Sequence, residues 1–111
     1  MARDYRQLEA FRIADQLVLE SYAVTRDFPR DELFGLRSQI RRAAMSVAAN
    51  IVEGSAKSSD RDFVRFLEMA LGSAREVAYE LNVARRLGFI PEESAAAAED
   101  RADHAARLIS R

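Results

Sequence analysis

Apolar residues in this chain recur at three- and four-residue steps, the spacing of one helix face, along four separate stretches. In the first, Leu8, Phe11, Ala14, Val18 and Tyr22 make one stripe, and a helix is predicted over about 7–27. Phe28-Pro29-Arg30 stops it, because the residue before proline is biased away from the helical region and proline has no amide donor. Asp31 and Glu32 then place negative charge at the start of a second helix, about 31–53, where the helix dipole favours it. Its stripe is Leu36, Ile40, Ala43, Ala44, Val47 and Ile51, and Gly54 follows as the expected C′ residue, free to take φ > 0. Ser55-Ala56-Lys57-Ser58 reads as a connector, with Ser59 capping a third helix and Asp62 reaching back in a variant capping box.

The third helix, about 60–87, has the most regular pattern. Phe63, Leu67, Ala70, Ala74, Val77, Leu81 and Ala84 alternate steps of four and three without exception. That 3.5-residue period is the seam of an antiparallel bundle. Leu87-Gly88-Phe89-Ile90-Pro91 ends it, and Pro91 at N1 with Glu92 and Glu93 behind it opens a fourth helix, about 91–109. There the stripe is Ala95, Ala98, Ala102, Ala105 and Ile109. No useful stretch alternates with period two, so no strand is predicted. The expected fold is all-α: an antiparallel up-down-up-down four-helix bundle forming a single domain over residues 1–111.

A second apolar line runs along the third helix. With Phe63, Ala70, Val77 and Ala84 at heptad position d, the outward positions c and f hold Met69, Gly72, Glu76, Tyr79 and Val83. A monomer would be expected to carry charge there, and Gly in an exposed helix interior costs about 1 kcal/mol relative to Ala. Isolated outward apolar residues are normal on a helix, but close approach by another backbone is one reason to tolerate Gly72 and explains the spacing better. Met45 on the second helix also points away from its stripe, so these six residues are the candidates for a self-association surface.

Composition narrows the chemistry. Without Cys there is no disulfide, thiolate nucleophile or Cys-ligated metal, and His104 is the sole histidine. Glu76 and Glu80 are spaced i, i+4, a pairing that solvated bundle helices carry routinely. The four glycines are too scattered for a phosphate loop. No catalytic, cofactor-binding or metal site is predicted, and the chain is expected not to be an enzyme. Met1-Ala2-Arg3-Asp4-Tyr5-Arg6 lacks an apolar core of the secretory kind, and the longest uncharged stretch, Ala43 to Val52, contains Ser46 and Asn50. A cytoplasmic protein with no membrane partner is expected.

Seventeen basic residues against 18 acidic give a formal charge of −1, which excludes a strongly electropositive binder but not a local patch. Arg37, Arg41, Arg42, Lys57, Arg61 and Arg65 concentrate across two helices and their connector, and are the candidates for phosphate contacts. Gln39, Ser46, Asn50, Glu53 and Ser73 interrupt apolar surfaces and are assigned to a structural polar network that fixes helix register.

Many of these residues also carry a resemblance. Phe28-Pro29, Glu32, Phe34-Gly35-Leu36, Gln39, Arg41-Arg42-Ala43, Ser46, Asn50-Ile51, Glu53-Gly54, Phe63, Phe66-Leu67, Ala70, Gly72-Ser73, Glu76 and Leu87-Gly88 follow, in order, the pattern of one bacterial family. The chain resembles, from about Tyr5 to Ile90, the four-helix-bundle family named for the 23S rRNA intervening-sequence protein. The accessory variability protein of diversity-generating retroelements is a relative of that family. The resemblance implies a homopentamer with a central channel, and partners that include RNA or a nucleic-acid-processing protein. Carried over by position, Arg41, Arg42 and Lys57 are the basic residues of interest; Lys57 stands where the family usually has Arg. The alternative is a protein-interaction or structural oligomer with no nucleic-acid role.

Overall fold

The computed structural model describes residues 3–111. Four helices account for most of it: α1 (Glu9–Val24), α2 (Leu36–Ser55), α3 (Asp60–Arg86) and α4 (Glu92–Ile109). Each packs on two others, α1 on α2 and α4, and α3 on α2 and α4, in an antiparallel up-down-up-down bundle. No strand occurs among the described residues. The rod measures 45 × 24 × 18 Å, its length set by the 27 residues of α3, which span about 40 Å at 1.5 Å each. Among the described residues no helix is long and apolar enough to cross a membrane.

The predicted stripes form most of the core, with departures on α1 and at the start of α3, where Phe63 and Leu67 are only partly buried and Phe66 is buried instead. Ala70, Ala74, Val77, Leu81 and Ala84 of α3 are buried, as are Ala95, Ala98, Ala102, Ala105 and Ile109 of α4. On α2, Ile40, Ala43, Ala44, Val47 and Ile51 are buried and Leu36 is partly so. On α1 the inward line is Ala14, Leu17, Val18 and Ser21, continuing to Thr25, whereas Tyr22 lies outside. Apolar character favoured Tyr22 over Ser21, but at 100° per residue Ser21 is the position that continues from Leu17 and Val18.

Helix ends follow the local chemistry, with shifts from the predicted bounds. α1 stops at Val24, because the Thr25 hydroxyl donates back to the Ser21 carbonyl (2.8 Å) and the chain then turns toward Pro29. Phe28 is buried, its ring 5.4 Å from that of Phe89, which ties the α1–α2 and α3–α4 connections together at one end of the rod. Asp31 and Glu32 belong to a 3₁₀ turn (Arg30–Glu32) ahead of α2, not to its first turn. Glu32 still serves the helix, its Oε1 accepting from the Leu36 amide at 2.9 Å. Ser59 caps α3 by accepting from the Asp62 amide (3.2 Å), while the Asp62 side chain turns to Arg65 rather than back to the cap. Pro91 is the N-cap of α4 and not N1, so α4 begins one residue later than expected.

The glycines divide differently from the prediction. Gly54 is no C′ residue: α2 runs through it to Ser55, and a Cβ on it would stand 2.7 Å from Phe66 Cβ. Its role is close approach between α2 and α3. The single positive-φ glycine is Gly88 (φ 77), after Leu87. Phe89 N donates to Ala84 O (2.9 Å) and Gly88 N to Arg85 O (3.0 Å), the paired bonds of a Schellman terminus.

Gly54→Val is expected to destabilise the chain by about 1–3 kcal/mol, the usual cost of overpacking, although Val is the better helix former. Urea unfolding measures it, and an unchanged midpoint would refute the close-approach role.

Candidate nucleic-acid and assembly surfaces

The α2–α3 register is fixed by two contacts: Ser46 Oγ lies 2.9 Å from Ser73 Oγ, and Gly54 lies against Phe66. Arg65 is therefore level with the end of α2, and Arg41 lies about 20 Å away along the axis at 1.5 Å per residue. The six candidate cations do not converge. Arg37, Arg41 and Arg42 occupy the first half of α2, and Lys57, Arg61 and Arg65 occupy the connector and the first two turns of α3. Proximity in sequence misled here because an antiparallel hairpin returns alongside itself, so only residues near its bend meet.

Within the first group Arg41 is immobilised. Its Nε donates to Thr25 Oγ1 (2.8 Å), its Nη2 donates to the Tyr22 carbonyl (3.1 Å), and its guanidinium lies 4.4 Å from the Tyr22 ring centroid. Desolvation lowers its pKa, with further lowering from the charges of Arg37 and Arg26. Arg42 is exposed. At the connector, Lys57 Nζ and the Arg65 guanidinium each lie 5.0 Å from the Phe66 centroid. The residue whose Cβ excludes a side chain at Gly54 thus also holds two cations on its ring. Arg65 shares its charge with Asp62 at 3.8 Å, and Arg61 is exposed with no ion pair among the described residues. Arg3 closes this end, over the Phe63 ring at 4.1 Å and paired with Asp60.

The outward line on α3 is exposed in the single chain. Met69 is 42% and Tyr79 65% exposed, Met45 on α2 is 47% exposed, Glu76 faces solvent and Val83 is half-buried. Beyond its own helix turn, no atom of the described residues lies within 4 Å of a Cβ built on Gly72. The polar network is smaller than expected. It joins Ser46, Ser73 and Asn50, whose Nδ2 donates to the Ser46 carbonyl (2.8 Å) and Oγ (3.0 Å). Gln39 and Glu53 face solvent and take no part in it.

The Glu76–Glu80 pair is not a solvated one, because Glu80 is buried. It is 6% exposed, with Oε1 buried and without a hydrogen-bond partner among the described residues. Burial raises its pKa to about 8, reinforced by a side-chain hydrogen bond and like charge from Glu76. The clue in the sequence was the seven-residue line Phe66, Ser73, Glu80, which flanks the core seam on the side toward α2. His104 is half-buried on α4, beside a shallow hollow shared with Asp100, Arg101 and Arg107.

The chain matches the family model of the 23S rRNA-intervening sequence protein over residues 6–111. It is also similar to a solved protein of unknown function from the S23 ribosomal protein family of Bacteroides thetaiotaomicron. The two are 23% identical, with a TM-score of 0.83 over 90% of this chain and 94% of that one, a likeness of fold. No curated protein matches the chain.

Folded Glu80 keeps its proton up to about pH 8, and an unfolded glutamate releases it near the ordinary 4.5. Between those values the native state binds more protons, so this contribution is complete below 4.5 and is lost as pH rises to about 8. Asp4, held low by hydrogen bonds from Arg6, titrates below this window. The melting temperature is expected to fall from about pH 5 toward pH 8, and Glu80→Gln to flatten that slope. An equally steep slope in the variant would show that another group is responsible.

Proposed function

Because the chain belongs to the 23S rRNA-intervening sequence protein family, we propose that it is a non-enzymatic homo-oligomeric scaffold, five copies to the ring, that binds RNA or a nucleic-acid-processing protein complex. The observation that carries the assembly is Gly72. It sits in the interior of the longest helix, flanked outward by Met69 and Tyr79, and no group among the described residues requires the missing Cβ. A glycine that weakens α3 by about 1 kcal/mol without an internal reason fits a surface where a second backbone comes close. The count of five is what the family resemblance implies.

The RNA contact is assigned first to the connector end, where Lys57, Arg61 and Arg65 surround the bend of the α2–α3 hairpin. A ring would repeat that cluster once per copy, and weak phosphate contacts gain by such repetition. A catalytic role for the Glu76–Glu80 pair is disfavoured by the burial of Glu80, which shuts its carboxyl away from any substrate.

Sedimentation equilibrium at micromolar concentration is expected to give a mass near five times the 12.5 kDa chain; a 12.5 kDa species alone would refute assembly. Gly72→Leu is expected to lower that mass while leaving the far-ultraviolet circular dichroism unchanged. Wild-type mass in the variant would move the interface off this line.

Retention of structured RNA is expected to weaken steeply between about 50 and 200 mM salt, and to be reduced strongly by Lys57→Gln with Arg61→Gln. Failure of the wild type to retain RNA at low salt would favour the protein-interaction oligomer instead.

A further inference from the structure

Five arginines of the bundle meet a carboxylate: Arg3 with Asp60, Arg6 with Asp4, Arg65 with Asp62, Arg85 with Glu92 and Glu99, and Arg101 with Glu20. Arg26, Arg37 and Arg41 have no such partner among the described residues, although they gather where the end of α1 passes the first half of α2. Arg37 and Arg41 are one turn apart on α2, about 5–6 Å between Cβ atoms. Arg26 directly follows Thr25, whose hydroxyl holds Arg41. Glu32, the acidic residue closest to Arg37 in sequence, has its Oε1 engaged by the Leu36 amide.

The partners of Arg41 are a hydroxyl, a carbonyl and a ring, so its charge is oriented but not neutralised. Arg37 and Arg26 both act on it as like charges, and Arg37 Nε is buried with no acceptor among the described residues. Three guanidiniums crowded without a carboxylate repel one another, and an anion arriving between them removes that cost. Planar N–H forks suit the oxygens of phosphate, which accept such bonds in pairs.

We infer that Arg26, Arg37 and Arg41, with Tyr22 as the ring that orients Arg41, form a binding site for a phosphate group between α1 and α2. The site lies about 20 Å from the connector cations. Its phosphate comes either from an RNA backbone or from free polyphosphate, and only the first source rests on the RNA-binding reading.

Two titrations of the whole chain at low salt test it. In calorimetry with tripolyphosphate, the wild type is expected to take up one equivalent per chain. Arg26→Gln with Arg37→Gln should weaken uptake by about tenfold or more, while Arg75→Gln with Arg107→Gln, at two exposed arginines elsewhere on the bundle, changes it less than about twofold. Should the Gln pair fail to fold, Arg26→Lys with Arg37→Lys replaces it; this pair keeps the charges, loses the forks and should still bind several-fold more weakly. No uptake by the wild type, or uptake unaltered by these changes, overturns the site. Fluorescence anisotropy with a labelled single-stranded RNA then identifies the source. Parallel loss of RNA affinity assigns the site to backbone phosphate, whereas retained RNA affinity beside lost tripolyphosphate uptake assigns it to free polyphosphate. Tripolyphosphate uptake by a wild type that binds no RNA upholds the site and removes the RNA-binding reading.

Discussion

Everything in this bundle depends on how closely its helices approach through small side chains. α3 contributes Ala70, Ala74 and Ala84 to the core, and α4 contributes Ala95, Ala98, Ala102, Ala105 and Ala106. With Gly54 set against Phe66, these residues give a rod only 18 Å across in its thinnest direction. Alanine loses no side-chain entropy on burial but removes little apolar surface, so such a core is modest per residue and needs length to accumulate. The 27-residue α3 supplies that length. Several of the larger apolar side chains, Met45, Met69 and Tyr79 among them, are left partly on the outside, where a single chain covers only a share of their surface.

Arginine has several distinct uses in the molecule. Arg85 and Arg101 bridge helices through carboxylates, joining α3 to α4 and α4 to α1. Arg41 joins α2 to α1 through neutral groups and therefore leaves its charge in place. Lys57 and Arg65 rest on a core phenylalanine, so the residue whose Cβ meets Gly54 between α2 and α3 also sets, through its ring, the position of surface charge. A formal charge of −1 for the whole chain says little about such local arrangements.

How far the sequence could be read depended on whether a signal was periodic or pairwise. The α3 seam, the Ser59 cap and the stop at Gly88 were legible because each is written in neighbouring residues and obeys a local rule. Tyr22 and Ser21 were exchanged because hydrophobicity was weighed over helical phase. Gly54 was ambiguous, since a glycine near the end of a stripe satisfies both a C′ rule and a close-approach rule, and only Phe66 across the hairpin decides. The basic residues formed a cluster along the chain and two clusters in space. The i, i+4 spacing of Glu76 and Glu80 reads as a solvated pair, because spacing along one helix carries no information about what packs over it.

The contact between Gly54 and Phe66 also bears on the order in which the chain organises itself. It joins residues separated by a short connector, so the entropy lost in closing that loop is small, whereas seating α4 against α1 joins the two ends of the chain. Local closure of this kind is kinetically favoured over distant closure. The α2–α3 hairpin is thus the least demanding part of the molecule to assemble, and α1 and α4 have a preformed surface on which to dock.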